Sequence, residues 1–127
     1  MAREFFTDTA STVLSKTLDA AAARQKAIAN NIANVETPGY KRKYVTFETE
    51  LRQALDLQGH SRREAMQKLT PLQQTDVVSP SRPDGNNVNI DAEISDLAKT
   101  TLTNKAATTL LEGKIAMLQT AITEGKR

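Results

Sequence analysis

The sequence contains no cysteine and no tryptophan, and aromatic residues make up only 4% of its 127 positions. Without cysteine, disulfides and thiolate metal sites are excluded. So few aromatic side chains give little material for the compact core of a globular enzyme, whereas the aliphatic residues suffice for contacts between helices. No apolar run approaches the roughly 20 residues that a transmembrane helix needs. Composition therefore favours a single domain built by helix packing.

The net charge of the chain is also small. A formal net charge of +2 is too low to indicate a polyanionic partner by itself. One basic cluster, Lys41-Arg42-Lys43, lies between Tyr40 and Tyr44. A cluster this short is more typical of a solvated or subunit-contacting surface than of a nucleic-acid site. We therefore expect no nucleic acid among the partners.

Two heptad patterns occupy the ends of the chain. The first follows alternating steps of four and three residues from Leu14 to Val35, and the second does so from Ile90 to Ile122. An apolar period of 3.5 residues keeps one stripe of a helix against a partner helix. Nearly all helix-breaking residues lie between the patterns, including all four prolines, which are Pro38, Pro71, Pro80 and Pro83.

The sequence thus predicts a mainly α fold within one domain over residues 1–127. An N-terminal helix at 8–35 and a C-terminal helix at 90–124 should pair as a coiled-coil-like unit. Between them, residues 36–89 should form a short extended, β and loop region. Within that region we expect an extended segment at 40–47 and a short helix at 48–57. Residues 58–87 should be loop, hairpin or partly disordered, with at most a short helix at 62–69.

We expect the apolar residues of the two patterns to form subunit interfaces. Two unequal patterns, of about three and about five heptads, pair with each other and still leave apolar surface for neighbouring subunits. The predicted interface residues are Leu14, Leu18, Ile28, Ile32 and Val35 in the first helix, and Ile94, Leu97, Leu111, Ile115, Leu118 and Ile122 in the last.

A group of asparagines followed by a turn marks the end of the first predicted helix. Asn30, Asn31 and Asn34 border the apolar stripe, and Thr37-Pro38-Gly39-Tyr40 follows. The amides either fix the register through hydrogen bonds or only weaken the helix as it ends. Proline biases Thr37 away from helical backbone, and Gly39 takes a positive φ at low cost. We expect a tight turn here with an extended exit.

These residues closely resemble the N-terminal signature of the flagellar basal-body rod and hook proteins, whose pattern is N-N-I-A-N-x-x-T-P-G-Y. Residues 84–93 are similar to the D-G-N-N-V segment that precedes the last helix in the proximal rod member of that family. One position departs from the family. The last helix commonly carries Leu-x-Tyr-x-Ala, and here Leu102 and Ala106 flank Asn104.

The resemblance implies a structural subunit of the bacterial flagellar rod, the tubular drive shaft needed for motility, assembled through the terminal helices. It implies export through the flagellar type III apparatus to the periplasmic rod without a cleaved signal peptide. Consistent with that, residues 1–16 contain no apolar stretch of the length that cleaved secretory signals have. The implied partners are other rod subunits, further copies of the chain, and MS-ring or adaptor proteins at the rod base.

An enzyme is the weakest alternative. His60 is the single histidine and lies in a loop-like stretch, so we interpret it as a surface residue. Asp91, Glu93 and Asp96 suit the start of a helix electrostatically, and no histidine or cysteine accompanies them as a metal ligand. We therefore expect no catalytic residue, metal, cofactor or small-molecule substrate. A soluble coiled-coil adaptor or export chaperone remains as the alternative function.

Overall fold

The computed structural model describes residues 8–125. The expectation about a signal segment at residues 1–16 falls partly on residues 1–7, which lie outside this described part. Six elements follow in chain order: α1 (Thr9–Ala33), β1 (Lys43–Thr46), α2 (Glu48–Asp56), α3 (Gly59–Lys68), β2 (Leu72–Thr75) and α4 (Ile90–Glu124). The predicted mainly α class, with long terminal helices and a short β region between them, is confirmed.

Side-chain caps begin both long helices. The carboxylate of Asp8 accepts a hydrogen bond from the backbone N–H of Ser11 at 2.8 Å. The amide oxygen of Asn89 accepts from the N–H groups of Asp91 and Ala92 at 3.0 and 3.2 Å. These caps satisfy donors that have no partner within the helix, so α1 and α4 begin at defined residues.

The helices α1 and α4 pack side by side as an antiparallel pair. Asn31 near the end of α1 is hydrogen-bonded to Glu93 near the start of α4. Asp8 at the start of α1 forms an ion pair with Lys114 far along α4. Several of the buried residues of the two helices are alanines, namely Ala20, Ala21, Ala27 and Ala107. Small side chains of this kind let the backbones of paired helices approach each other.

The face that α4 turns inward matches the predicted one only in part, since Leu97, Leu111 and Leu118 are half-buried. Its buried residues are Glu93, Thr100 and Ala107, which follow each other at seven-residue intervals. In the predicted pattern each corresponding position comes one residue later, about 100° further around the helix. Ile94, Ile115 and Ile122 are accordingly exposed, by 55%, 39% and 64%. A heptad period alone does not select between neighbouring stripes, and the buried ion pair of Glu93 described below fixes the choice.

The middle of the chain contains more helix than expected. The extended segment is present as β1, which pairs antiparallel with β2 in the register Lys43↔Thr75 to Thr46↔Leu72. The predicted helix at 48–57 is present as α2. Within residues 58–87, however, the structure has a ten-residue helix, α3, and a second strand. This region is ordered because Met66 and Leu69 are buried in a small hydrophobic core.

The small hydrophobic core lies on one side of α1, and α4 lies on another. The buried members of the core are Ala20, Phe47, Ala54, Met66 and Leu69, with Val13, Leu51, Leu55 and Ala65 packed against them. One side of α1 thus faces α2, α3 and the strands, and another side faces α4. No helix within residues 8–125 is long and apolar enough to cross a membrane.

The ion pair at the start of α1 predicts a pH dependence. The pKa of Asp8 is lowered from 3.8 to about 2, mainly by the hydrogen bond from Lys114 and then by the Ser11 N–H. Since the folded pKa lies below the unfolded one, this stabilisation is present above pH 3.8 and is lost as the pH falls towards 2.

We expect Asp8→Asn, which keeps an N-cap but loses the ion pair, to cost about 0.5–1 kcal/mol at pH 7, and Asp8→Ala to cost about 0.5–2 kcal/mol through the lost cap alone. Urea unfolding measured between pH 2 and pH 6 tests this. The stability difference between the native chain and Asp8→Asn should shrink as the pH falls through this range. A difference that does not change with pH would contradict the assigned ion pair.

Candidate functional site

Asn31 joins α1 to β1 and α4 from a fully buried position. Its Oδ1 accepts from the backbone N–H of Lys43 at 2.8 Å and from the Tyr40 hydroxyl at 3.2 Å. Its Nδ2 donates to the Lys43 carbonyl at 2.7 Å and to Glu93 at 3.0 Å. The side-chain amide therefore pairs with the strand as a neighbouring backbone would. Asn31 therefore supports the interpretation in which the asparagines fix the register through hydrogen bonds, since it joins three elements.

Asn34 acts locally at the end of α1. Its Nδ2 donates to the Asn30 carbonyl at 2.8 Å, and its Oδ1 accepts from the Thr37 hydroxyl at 3.1 Å. It supports the second interpretation, in which an amide helps to end the helix. The turn that follows holds Pro38 and then Gly39, whose φ is +72°. The predicted positive φ at Gly39 is confirmed.

Asn86, which is fully buried, binds the turn that follows α1. Its Nδ2 lies 2.9 Å from the carbonyl oxygen of Asn34, 3.1 Å from that of Val35 and 2.9 Å from that of Thr37. Its Oδ1 accepts from the N–H of Val88 at 2.8 Å. Two of these carbonyls also accept from local N–H groups, that of Asn34 from Thr37 and that of Thr37 from Tyr40. Asn86 thus anchors the turn after α1 from a segment some fifty residues away in sequence.

Two glycines allow the backbones of these segments to meet. The N–H of Gly39 donates to the Asp84 carbonyl at 2.8 Å. Gly85 has a φ of +85°, and a Cβ on it would lie 3.3 Å from the Cα of Gly39. A side chain at residue 85 would meet both a strained backbone conformation and a backbone neighbour. The positive φ accounts for the glycine at 39, where a Cβ would meet no atom within 4 Å, and the positive φ together with the close approach accounts for the glycine at 85.

Asn87 ties the start of β1 to the segment after β2. Its Oδ1 accepts from the N–H of Arg42 at 2.6 Å, and its Nδ2 donates to the Asp76 carbonyl at 2.8 Å. The N–H of Asp76 in turn donates to the Arg42 carbonyl at 2.8 Å. We call the combined contacts of residues 30–43 with residues 84–96 the asparagine junction.

A buried ion pair completes the asparagine junction. Arg42 Nε donates to Oε1 of the fully buried Glu93 at 2.5 Å, and Arg42 Nη2 donates to Asp96 at 2.9 Å. Burial by itself would lower the pKa of Arg42, but the hydrogen bond and charge of Glu93 outweigh it, so this pKa is raised. Burial, followed by the charge of Glu93, raises the pKa of Tyr40. A buried carboxylate remains charged only with partners of this kind.

The sequence interpretation did not identify four of the junction residues, which are Arg42, Asn86, Asn87 and Glu93. The basic cluster of residues 41–43 was expected on the surface, whereas Arg42 reaches the buried Glu93. Glu93 was interpreted as a favourable negative charge at the start of a helix, and nothing in the sequence indicated that its side chain is buried. Asn86 and Asn87 belong to the motif at residues 84–93, and that motif was the one feature of the sequence that pointed to them. Within residues 8–125 no group of three or more histidine, cysteine, aspartate or glutamate side chains could hold a metal.

The predicted interface residues are not gathered into one patch of the structure. Ile28 is buried and, with Leu97 and Thr100, lies where α1 and α4 meet. The half-buried members are Leu14, Leu18, Ile32, Val35, Leu97, Leu111 and Leu118. The exposed members are Ile94, Ile115 and Ile122. The motif residues 30–40, in contrast, are brought together in the asparagine junction.

We predict that Asn86→Ala lowers the free energy of unfolding by about 1–3 kcal/mol, because it removes the amide that binds the turn after α1 and leaves the buried N–H of Val88 without its acceptor. Asn30→Ala is the matched control, since Asn30 is exposed; it should change stability by less than about 0.5 kcal/mol. Urea denaturation followed by circular dichroism measures both. Equal effects of the two substitutions would refute the anchoring role of Asn86.

We also predict strong coupling between Arg42 and Glu93. Removing either partner, with Arg42→Met or Glu93→Gln, should lower the free energy of unfolding by about 3–5 kcal/mol. The double variant should lose clearly less free energy than the sum of the two single losses. The exposed pair of Arg24 and Glu48 is the control, with an expected coupling below about 1 kcal/mol. A double-mutant cycle in urea supplies the measurement. Additive losses at Arg42 and Glu93 would contradict the buried pair.

Comparison with known proteins identifies the family. A family model for flagella basal body rod protein matches residues 12–41. The flagellar basal body rod protein FlgB of Bacillus subtilis is 35% identical over 124 residues, which cover 89% of this chain and 92% of that protein. FlgB of Borrelia hermsii is 38% identical over 96 residues, covering 63% of this chain and 70% of that protein. FlgB of Escherichia coli is 28% identical over 122 residues, covering 85% and 88%.

These relatives confirm the resemblance drawn from residues 30–40 and 84–93. All three are named as rod proteins, so the alternative of an adaptor or export chaperone is not favoured. The motifs that carry the resemblance are the same residues that build the asparagine junction. The chain therefore belongs to the FlgB family of flagellar basal body rod proteins, as a structural rod subunit and not an enzyme.

Proposed function

We propose that this rod subunit assembles through one surface of α4, which we call the C-terminal stripe. It consists of the exposed Ile94, Ile115 and Ile122 and the half-buried Leu97, Leu111 and Leu118. The single observation that supports it is the exposure of Ile94, Ile115 and Ile122, which lie on α4 beside the half-buried leucines and away from the buried Glu93, Thr100 and Ala107. Apolar side chains aligned along one exposed helix face are typical of protein–protein contacts.

The length of α4 supports the same proposal. Asp8 pairs with Lys114, so residues 115–124 extend beyond Thr9, where α1 begins. Within residues 8–125, this last part of α4 has no helix alongside it. Neighbouring subunits in a rod supply apolar surface for such a projecting helix, and contacts between unlike surfaces give an assembly that does not close on itself.

The proposal extends to the position and partners of the subunit. Membership of the FlgB family implies assembly with other flagellar rod components in the basal body. We place the chain at the proximal end of the rod in the periplasm, next to MS-ring or adaptor proteins. We further propose that it arrives through the flagellar type III export apparatus without a cleaved signal peptide. The lack of cysteine is compatible with an exported protein that uses no disulfides.

The substitution Ile122→Asp tests the stripe. Ile122 is exposed, so a charge there should leave the unfolding temperature of the isolated chain nearly unchanged. In the assembled rod the same charge would lie in an apolar contact without a partner, which is costly. We expect loss of swimming in a strain that depends on the variant, with normal synthesis of the chain.

Thr120→Asp is the matched control, because Thr120 is equally exposed on α4 and lies outside the stripe. It should support swimming. Soft-agar spreading and the amount of chain in isolated basal bodies are the measurements. Normal swimming with Ile122→Asp, or equal losses for both variants, would overturn the role of the C-terminal stripe.

A further inference from the structure

A short loop after β2 exposes two apolar side chains almost completely. We call residues 76–80 the valine loop, since Val77 is 77% exposed and Val78 is 91% exposed. A pair of neighbouring valines this far out in solvent gains nothing from the fold of its own chain. Their exposure therefore needs a reason outside the single subunit.

The valine loop is held in a fixed shape. Asp76 Oδ1 accepts from the N–H groups of Val78 and Ser79 at 3.0 and 2.9 Å. Asp76 Oδ2 accepts from the Ser79 hydroxyl at 2.5 Å. The Asp76 carbonyl is bound by Asn87 of the asparagine junction at 2.8 Å. A loop held by side-chain hydrogen bonds of this kind loses little conformational entropy on binding.

An apolar groove lies on another face of the molecule, between α1 and α4. Its volume is about 350 Å³. None of its lining residues is charged, and five of the six are aliphatic: Gln25, Ile28, Ala29, Ile32, Ala33 and Leu97. The groove is continuous with the C-terminal stripe, because Leu97 belongs to both. An uncharged partner enters such a groove without loss of hydration of a charge.

The valine loop cannot fill the groove of its own chain. The strands lie on the side of α1 that carries Arg24 and Asn31, which bind β1. The groove is lined by Gln25, Ala29 and Ile32, which lie about a third of a turn around the helix from those two residues. The loop continues directly from β2 and is tied to Arg42 through Asp76. Loop and groove therefore belong to different sides of the subunit.

We propose that the valine loop of one copy of this chain inserts into the apolar groove of the next copy. The proposal rests on the proposed rod function and adds to it a defined contact between identical subunits. The two surfaces match in chemistry, because the exposed side chains of Val77 and Val78 are aliphatic and the groove is lined by uncharged, mostly aliphatic residues, while the Asp76 carboxylate is engaged by Val78 and Ser79. Because they are unlike surfaces on different sides, the contact repeats from copy to copy without closing a dimer. A contact this small needs the other interfaces of the assembly to persist.

Engineered cysteines test the contact directly, since the natural chain has none. The test variant carries Val78→Cys and Ala29→Cys, with one residue in the loop and one in the groove. The control variant carries Val78→Cys and Ala106→Cys. Ala106 is exposed on α4, seven residues from Lys99, which lies on the side facing the strands. Basal bodies from cells that make each variant are treated with a mild oxidant and separated under non-reducing conditions.

We expect a ladder of covalent dimers, trimers and larger multimers from the test variant, and none above dimer from the control. Incorporation of the chain into basal bodies and swimming report on the rod function independently. Incorporated chain that gives no ladder would overturn the loop contact and leave the rod function intact. A disulfide-linked product containing a different protein would show another rod component in the groove, and would also overturn the proposal.

A second measurement applies if the double variant is not incorporated. The single variant Val78→Cys replaces one small apolar side chain by another. Its thiol should react rapidly with a maleimide in the isolated chain and at least tenfold more slowly in basal bodies. Equal rates in the two states would contradict insertion of the valine loop.

Discussion

The arrangement of this chain depends on the buried ion pair between Arg42 and Glu93. A carboxylate that is fully removed from water is stable only with a cation and hydrogen-bond donors at hand, and here Arg42 and Asn31 supply them. Arg42 leads into β1, Asn31 lies on α1 and Glu93 lies on α4. The charge at one residue therefore specifies how three separate elements meet. It also turns α4 so that Glu93 faces inward and the neighbouring isoleucines face out.

The asparagine junction gives a physical reason for both sequence motifs. Asparagine offers a donor and an acceptor on a short, uncharged side chain, so it can replace a missing backbone partner. Asn31 does this for β1, Asn86 for the turn after α1, and Asn87 for the link between the strands. The motif at 30–40 and the motif at 84–93 are thus two halves of one structure. The bonds from Asn86 to the turn after α1, and that between Asn31 and Glu93, form only when the two halves meet.

Much of the fold was predictable from the sequence, because a heptad period and helix breakers act locally. The long helices, the turn at Gly39 and the short helix α2 all followed from such signals. The helix α3 was predicted only as a short helix at most, at residues 62–69, because it is stabilised by burial of Met66 in a core that forms only when distant segments meet. The inward stripe of α4 was predicted only in part. Neighbouring heptad stripes fit the same period, and the long-range partner of Glu93 decides between them.

The two polar contacts that link α1 and α4 have a mechanical consequence. They lie near opposite ends of the helix pair, Asn31 with Glu93 at one end and Asp8 with Lys114 at the other. Apolar surfaces slide past each other with little directional resistance, whereas hydrogen bonds and ion pairs are lost when their atoms are displaced by an ångström or two. Because these contacts hold the pair near both of its ends, α1 and α4 resist a shift along their common axis and move as one unit.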